Sequence, residues 1–135
     1  MIARRSVRGW IAVLVVLLAV RVGAEGLDDL KETTPAERAG AQTAMMKEKL
    51  SLTDEQLPKV KAINEKYAEE MDPIIKGSGG MLMKMGPMRA VEDKKEAELK
   101  GVLSSDQFAQ FQAMKSEMRD KLMERIKAQR AQKGQ

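Results

Sequence analysis

The sequence feature that most constrains the fold is a five-residue phrase that occurs twice, 51 residues apart. LTDEQ at residues 52–56 returns as LSSDQ at residues 103–107, and each copy opens a long amphipathic stretch. Thr53 or Ser104 can act as a helix N-cap, while the glutamine three positions later reaches back to the backbone N–H of the cap, which completes a capping box. The repeat therefore predicts two helix starts and a duplicated helical unit. The residues of this capping motif are Leu52, Thr53, Gln56, Leu103, Ser104 and Gln107.

Apolar residues recur at helical spacing after both phrases,. Thr34 followed by Pro35 predicts a further helix start, because proline is favoured at the first helical position. A glycine-rich stretch over residues 76–87, closed by Gly86-Pro87, predicts a hinge. The sequence thus predicts an all-α fold over residues 34–132, a four-helix subunit made of two similar helical hairpins. The expected helices start near Pro35, Thr53, Met88 and Ser104.

The first 24 residues have the pattern of a secretory signal peptide. Arginines precede an apolar run over residues 10–20, and small residues end at Ala24, where we expect cleavage,. The apolar run is shorter than the ~20 residues of a membrane span, although an uncleaved anchor stays an alternative. We therefore expect a periplasmic protein with no membrane span after signal removal. Residues 25–33 are polar and acidic, which predicts a disordered linker,.

Signal removal also changes the charge. The full chain has 24 basic and 20 acidic residues, and four arginines leave with residues 1–24. The processed chain is formally neutral, so its charge gives no reason to expect a nucleic-acid partner. The basic residues are concentrated in segment 115–133, with seven of them against three acids. That segment is either a solvated helix face or a surface that attracts acidic partners.

Catalysis is not expected. The chain has no Cys and no His, so general acid–base chemistry would fall on carboxylates or lysines that lie on charged helix faces. The serines have no histidine partner, and the Gly-rich segment lacks the spacing of a phosphate-binding loop. We expect no enzyme activity and no cofactor.

Duplicated Leu-Thr-x-x-Gln phrases in a small, helical, exported chain resemble the Spy/CpxP family of periplasmic proteins. The phrase at 52–56 matches the family motif fully, and the phrase at 103–107 has Ser in place of Thr. The resemblance implies a four-helix, all-α subunit that pairs as an antiparallel, cradle-shaped homodimer. It also implies ATP-independent chaperone activity on unfolded envelope proteins, or a role in sensing envelope stress. Two departures are the lack of histidine and a basic character limited to the C-terminal third.

Methionine is unusually frequent, with 11 in 135 residues. Its flexible, polarizable side chain suits surfaces that bind many partners, although methionines on helices can equally form the seam between them. We expect a concave surface on which apolar and thioether side chains make contact and basic side chains attract clients. The candidate client-binding residues are Met71, Phe111, Met114, Lys115, Met118, Arg119, Lys121, Leu122 and Arg125.

Four further methionines, Met81, Met83, Met85 and Met88, lie between glycines in the expected hinge. Thioethers are soft ligands that select Cu(I), so a Cu(I) or Ag(I) site is one hypothesis for them. A flexible hydrophobic contact loop and a short helical turn packed on the bundle are the alternatives.

The function favoured by the sequence is chaperone-like binding of non-native envelope proteins. One alternative is an envelope-stress regulator that binds the periplasmic domain of a sensor kinase. The others are a metal-handling protein that uses residues 81–88 and a plain scaffold.

Overall fold

The structure is a computed structural model that describes residues 31–134. Within that range every regular element is helical, which confirms the all-α class. The elements in chain order are α1 (Pro35–Leu50), α2 (Gln56–Lys76), α3 (Met81–Val102) and α4 (Ser105–Lys133). The predicted signal peptide and most of the predicted linker lie outside the described residues. In the described part of that predicted linker, Lys31 and Glu32 are helical.

Capping boxes start α1 and α4, and the same reciprocal bonds form in the turn immediately before α2, which begins at Gln56. The two predicted boxes, Thr53 with Gln56 and Ser104 with Gln107, both form with reciprocal bonds. A third box, which the sequence analysis missed, starts α1. There the Thr34 hydroxyl accepts from the Glu37 N–H at 3.2 Å, and the Glu37 carboxylate accepts from the Thr34 N–H at 2.9 Å. Its T-x-x-E spacing is the same signal as in the repeated phrases.

The connection between α2 and α3 is much shorter than the predicted hinge over 76–87. Only residues 77–80 lie between the two helices, and Gly86 and Pro87 lie inside α3. Pro87 removes one backbone hydrogen bond, but the strong helix formers on both sides carry the helix past it. Two glycines make the short turn. A Cβ on Gly77 would be 2.9 Å from the Pro73 carbonyl oxygen, and Gly79 has a φ of +102°.

The helices pack in sequence, α1 against α2 and α2 against α3, whereas α4 contacts α1 and α3 much less extensively. Two ion pairs of 2.6 Å join neighbouring helices: Arg38 with Asp72 between α1 and α2, and Lys66 with Glu98 between α2 and α3. Within residues 31–134 no helix combines the length and apolarity that a membrane span requires. The core cluster consists of Met46, Leu50, Val60, Ile63, Tyr67, Val91, Leu99, Leu103 and Phe111.

The two ends of α4 differ. Its first turns supply Phe111 to the core, whereas every described side chain after Ser116 is exposed. We call residues 31–116 the body and residues 117–134 the arm. At 1.5 Å per residue, the helical part of the arm is about 25 Å long. Within the described residues, the arm does not dock on α1–α3.

Candidate functional site

The two repeated phrases meet in space. The Gln56 Nε2 donates to Oε1 of Gln107 at 2.7 Å, and the Gln107 Nε2 donates to Oε1 of Gln56 at 3.0 Å. We call this reciprocal pair the glutamine clasp. Each oxygen also accepts from the backbone N–H of its own cap, from Thr53 at 3.1 Å and from Ser104 at 2.9 Å.

The clasp also donates hydrogen bonds to backbone carbonyl groups at two helix ends. The Gln56 Nε2 donates to the Val102 carbonyl, and the Gln107 Nε2 donates to the Leu50 carbonyl, both at 3.1 Å. Leu50 and Val102 are the last residues of α1 and α3, where carbonyl groups have no partner inside the helix. Each amide therefore uses two donors and two acceptor positions, which is its full capacity. The repeated motif thus joins the α1–α2 turn to the α3–α4 turn, and its role is structural.

Four of the candidate client-binding residues, Met71, Phe111, Met114 and Lys115, belong to the body. Phe111 is only 3% exposed and is part of the core, while Met71 and Met114 are half-buried against it. Phe111 therefore cannot offer its ring to a client in this conformation. Lys115 forms an ion pair with Glu96 and lies 3.9 Å from Glu92, so α3 already compensates its charge.

The other described candidates lie on the arm. Met118 is 47% exposed and Met123, which the sequence analysis did not include, is 49% exposed. Arg119 and Lys121 are exposed as well, and their interactions are local: Lys121 donates to Glu117 at 2.7 Å, while Arg119 approaches Asp120 at 3.9 Å. The side chains of Leu122 and Arg125 lie outside the described residues, although both positions are in α4.

The arm is positively charged overall. Residues 117–134 contain six basic and three acidic residues. The Lys121 ammonium, with a smaller contribution from Lys49, lowers the pKa of the Glu117 carboxyl, which therefore stays ionised. The arm thus combines exposed thioethers with an excess of basic groups on a single helix.

The methionines of segment 81–88 form the first turns of α3 rather than a loop. Leu82, Met83 and Met85 are exposed by 86%, 77% and 57%, and Met88 is half-buried. Since successive helical residues are rotated by about 100°, Met83 and Met85 point to sides of the helix that are roughly 160° apart.

The thioethers of Met83 and Met85 therefore do not converge on one point within a chain, and the side chain of Met81 lies outside the described residues. Nor do the described residues contain a group of three His, Cys, Asp or Glu side chains that could hold a metal ion. Cu(I) or Ag(I) binding stays a prediction, without the loop geometry that suggested it.

An open, polar groove separates α3 from the start of the arm, with a volume of about 600 Å³. Its charges largely compensate one another, because Glu96 accepts from Gln112 at 2.8 Å and pairs with Lys115. The groove therefore presents no dominant charge to a ligand. Its lining residues are Arg89, Glu92, Asp93, Glu96, Gln112, Lys115, Ser116 and Arg119.

The body also contains buried polar groups that the sequence analysis missed. Lys95 is 3% exposed; its Nζ donates to the Gln42 side chain at 2.6 Å, and burial lowers the pKa of the Lys95 ammonium. Asn64 is fully buried, and its Nδ2 donates to the Thr43 hydroxyl at 3.0 Å. The signal was present, because Lys95 lies midway between Val91 and Leu99 at helical spacing.

Fold and site together define a small all-helical protein with a packed body and an exposed, basic helical arm. The family model described as "Domain of unknown function (DUF4890)" matches residues 24–111, and the chain belongs to this family. No curated protein and no solved structure matches the chain. The matched segment ends at Phe111, in the last part of the body, so the arm lies outside it.

Proposed function

We propose that the protein is an exported, ATP-independent chaperone-like protein that binds non-native envelope proteins on its Met-rich, basic arm. The observation that carries this proposal is a helical segment of about 25 Å whose described side chains are all exposed. Met118 and Met123 contribute apolar surface there, and Arg119 and Lys121 contribute positive charge.

Such an arm suits weak and unselective binding. A lone helix of this length is marginally stable in water, so any partner that covers its apolar side chains also stabilises the helix. Thioethers adapt to different partner shapes, and the basic groups increase the rate of encounter with acidic segments. Capture without a nucleotide cycle requires that each contact be reversible, which this surface supports.

The magnitudes favour more than one arm in each binding unit. Burying the exposed half of a methionine side chain contributes about 1 kcal/mol. Two of them fall short of the ~4 kcal/mol that corresponds to a millimolar dissociation constant. Two linked arms would raise the effective affinity without any new contact. We therefore propose that the processed chain acts as a homodimer, with the antiparallel cradle of the Spy/CpxP resemblance as its arrangement.

Light scattering on the processed chain tests the dimer. We expect a mass of two subunits at micromolar concentration. A mass of one subunit at the highest soluble concentration contradicts the proposed dimer. Client binding by the arm is a separate claim, which the next experiment tests.

The binding function is tested by aggregation of a chemically reduced, denatured client in the presence of the processed chain. We expect suppression at stoichiometric amounts, without ATP. Replacing Met118 and Met123 by serine should remove most of it, whereas the control with Met83 and Met85 replaced by serine should retain it. Circular dichroism verifies that both variants keep their helix content. A wild-type chain that gives no suppression rules out the chaperone function, and equal suppression by both variants rules out the arm as the site.

A pull-down from envelope extract separates the chaperone from the regulator. Many weakly held clients support the chaperone, and one dominant sensor kinase supports the regulator. Periplasmic localisation, absence of catalysis, and absence of nucleic-acid and cofactor binding remain parts of the same proposal.

A further inference from the structure

The described methionines differ widely in accessibility. Met46 is fully buried, and its sulfur accepts from the Asn64 amide at 3.6 Å. In contrast, four methionines are between 47% and 77% exposed, two of them at the start of α3 and two on the arm. The exposed methionines are Met83, Met85, Met118 and Met123.

The composition makes these thioethers the main targets of mild oxidation. The chain has no cysteine, and methionine is the other side chain that a peroxide oxidises reversibly. The thioether sulfur attacks one oxygen of hydrogen peroxide, the O–O bond breaks, and an S–O bond forms. The sulfur loses two electrons, and the other peroxide oxygen leaves as water after a proton transfer. The sulfoxide that results is polar, whereas the thioether is apolar.

We propose that Met118 and Met123 are reversible oxidation sites, and that their oxidation by a peroxide releases clients from the arm. This inference rests on the proposed function, since the arm is the client surface. Two observations support this oxidation switch, by which we mean client release on oxidation of Met118 and Met123. Both sulfur-bearing side chains are half-exposed, so an oxidant and a methionine sulfoxide reductase can reach them. The arm also packs on no other described helix, so a polar oxygen at these positions leaves the body intact.

The difference between arm and core gives the switch its selectivity. Oxidation of Met46 would place a polar oxygen inside the core and disrupt it, but full burial protects that sulfur. Oxidation on the arm removes apolar contact surface while Arg119 and Lys121 keep their charge. Oxidised protein should therefore remain folded, lose apolar binding, and recover when the sulfoxides are reduced.

The test uses the processed chain titrated with hydrogen peroxide and analysed by site-resolved peptide mass spectrometry. We expect Met118 and Met123 to oxidise at least about tenfold faster than Met46. Apolar-dye binding should fall in parallel, with unchanged helix content, and should return after treatment with methionine sulfoxide reductases. Equal rates at Met46 and on the arm, or unchanged dye binding after full oxidation of the arm, would overturn the proposal.

Two leucine variants locate the switch, because leucine is apolar and is not oxidised by peroxide. The variant Met118→Leu/Met123→Leu should bind dye and clients normally and become insensitive to peroxide. The control Met83→Leu/Met85→Leu should remain as sensitive as the wild type. If the arm variant stays sensitive, the switch is elsewhere. If unoxidised protein captures no client, the proposed chaperone function is wrong. Dye binding and the relative oxidation rates then still test whether Met118 and Met123 are reversible oxidation sites.

Discussion

The body and the arm share one continuous helix, α4, yet they are held in different ways. In the body, α4 contributes Phe111 to the core and Gln107 to the glutamine clasp. In the arm, the same helix has no described side chain that is buried. The helix thus continues beyond its tertiary contacts, and those contacts decide which part of it is core and which part is surface. Substitutions in the body should therefore mainly change stability, and substitutions in the arm should mainly change binding.

The largest difference should come from truncating a core side chain. Leu99 is fully buried in the body, and Leu99→Ala should reduce the free energy of unfolding by about 3 kcal/mol, because it removes apolar contact and leaves a cavity. Met118→Ala on the arm should change it by less than about 0.5 kcal/mol. Urea denaturation followed by circular dichroism measures both. Comparable losses in the free energy of unfolding would mean that the arm is packed in solution, and the distinction between body and arm would then be wrong.

The next largest effect should come from the clasp. Gln107→Ala removes the partner of Gln56 and leaves the Leu50 carbonyl without its side-chain donor. The expected loss is about 2 kcal/mol, since part-buried polar groups lose their bonds,. Gln110→Ala, an exposed position of the same helix, is the matched control and should be nearly neutral. In a double-mutant cycle, the losses at positions 56 and 107 should be far from additive; additive losses would show that the clasp does not form.

A smaller effect, with a pH dependence, is expected at Lys95. Burial penalises its charged form and lowers its pKa, so the unfolded chain binds more protons between the lowered and the ordinary pKa. Stability should therefore rise with pH as the solution approaches the ordinary lysine pKa, about 10.4.

Lys95→Met should abolish that rise and stabilise the body at neutral pH by about 1 kcal/mol. Lys94→Met, at an exposed position of α3, should retain the pH profile of the wild type. Denaturation curves between pH 7 and pH 10 provide the measurement, and an unchanged slope in Lys95→Met would contradict the assignment.

The smallest effect should be a gain at Ser51. This residue has φ 50° and ψ 54°, the left-handed conformation that ends α1. Glycine adopts that conformation without strain, although it also makes the unfolded chain more flexible. The relief of backbone strain exceeds the cost of a more flexible unfolded chain, so we expect Ser51→Gly to stabilise the protein by about 0.5 kcal/mol. A loss of stability would mean that the serine hydroxyl has a role that the backbone does not show.

Local signals in the sequence were sufficient for most helix starts. The T/S-x-x-Q phrases and Thr34-Pro35 predict three of the four, because capping is a contact between near neighbours. The start of α3 was predicted seven residues late, at Met88 instead of Met81. Gly86-Pro87 is a turn signal on its own, but the flanking helix formers outweigh it.

Burial was harder to predict than secondary structure. Phe111 and Met118 lie on one apolar stripe, yet the first is buried and the second is exposed. Periodicity shows that a helix face is apolar and does not show whether another helix covers it. The pairing of Gln56 with Gln107 was equally hidden, because it joins residues 51 positions apart. Only the repeat itself suggested that the two phrases are related.

The reciprocal amides at positions 56 and 107 have one further consequence. Because each saturates the other, a change at one position should be tolerated only together with a compensating change at the second, so natural variation at the two should be correlated. The same arrangement offers protein designers a way to fix two inter-helical turns against each other with neutral side chains, without a disulfide or a metal ion.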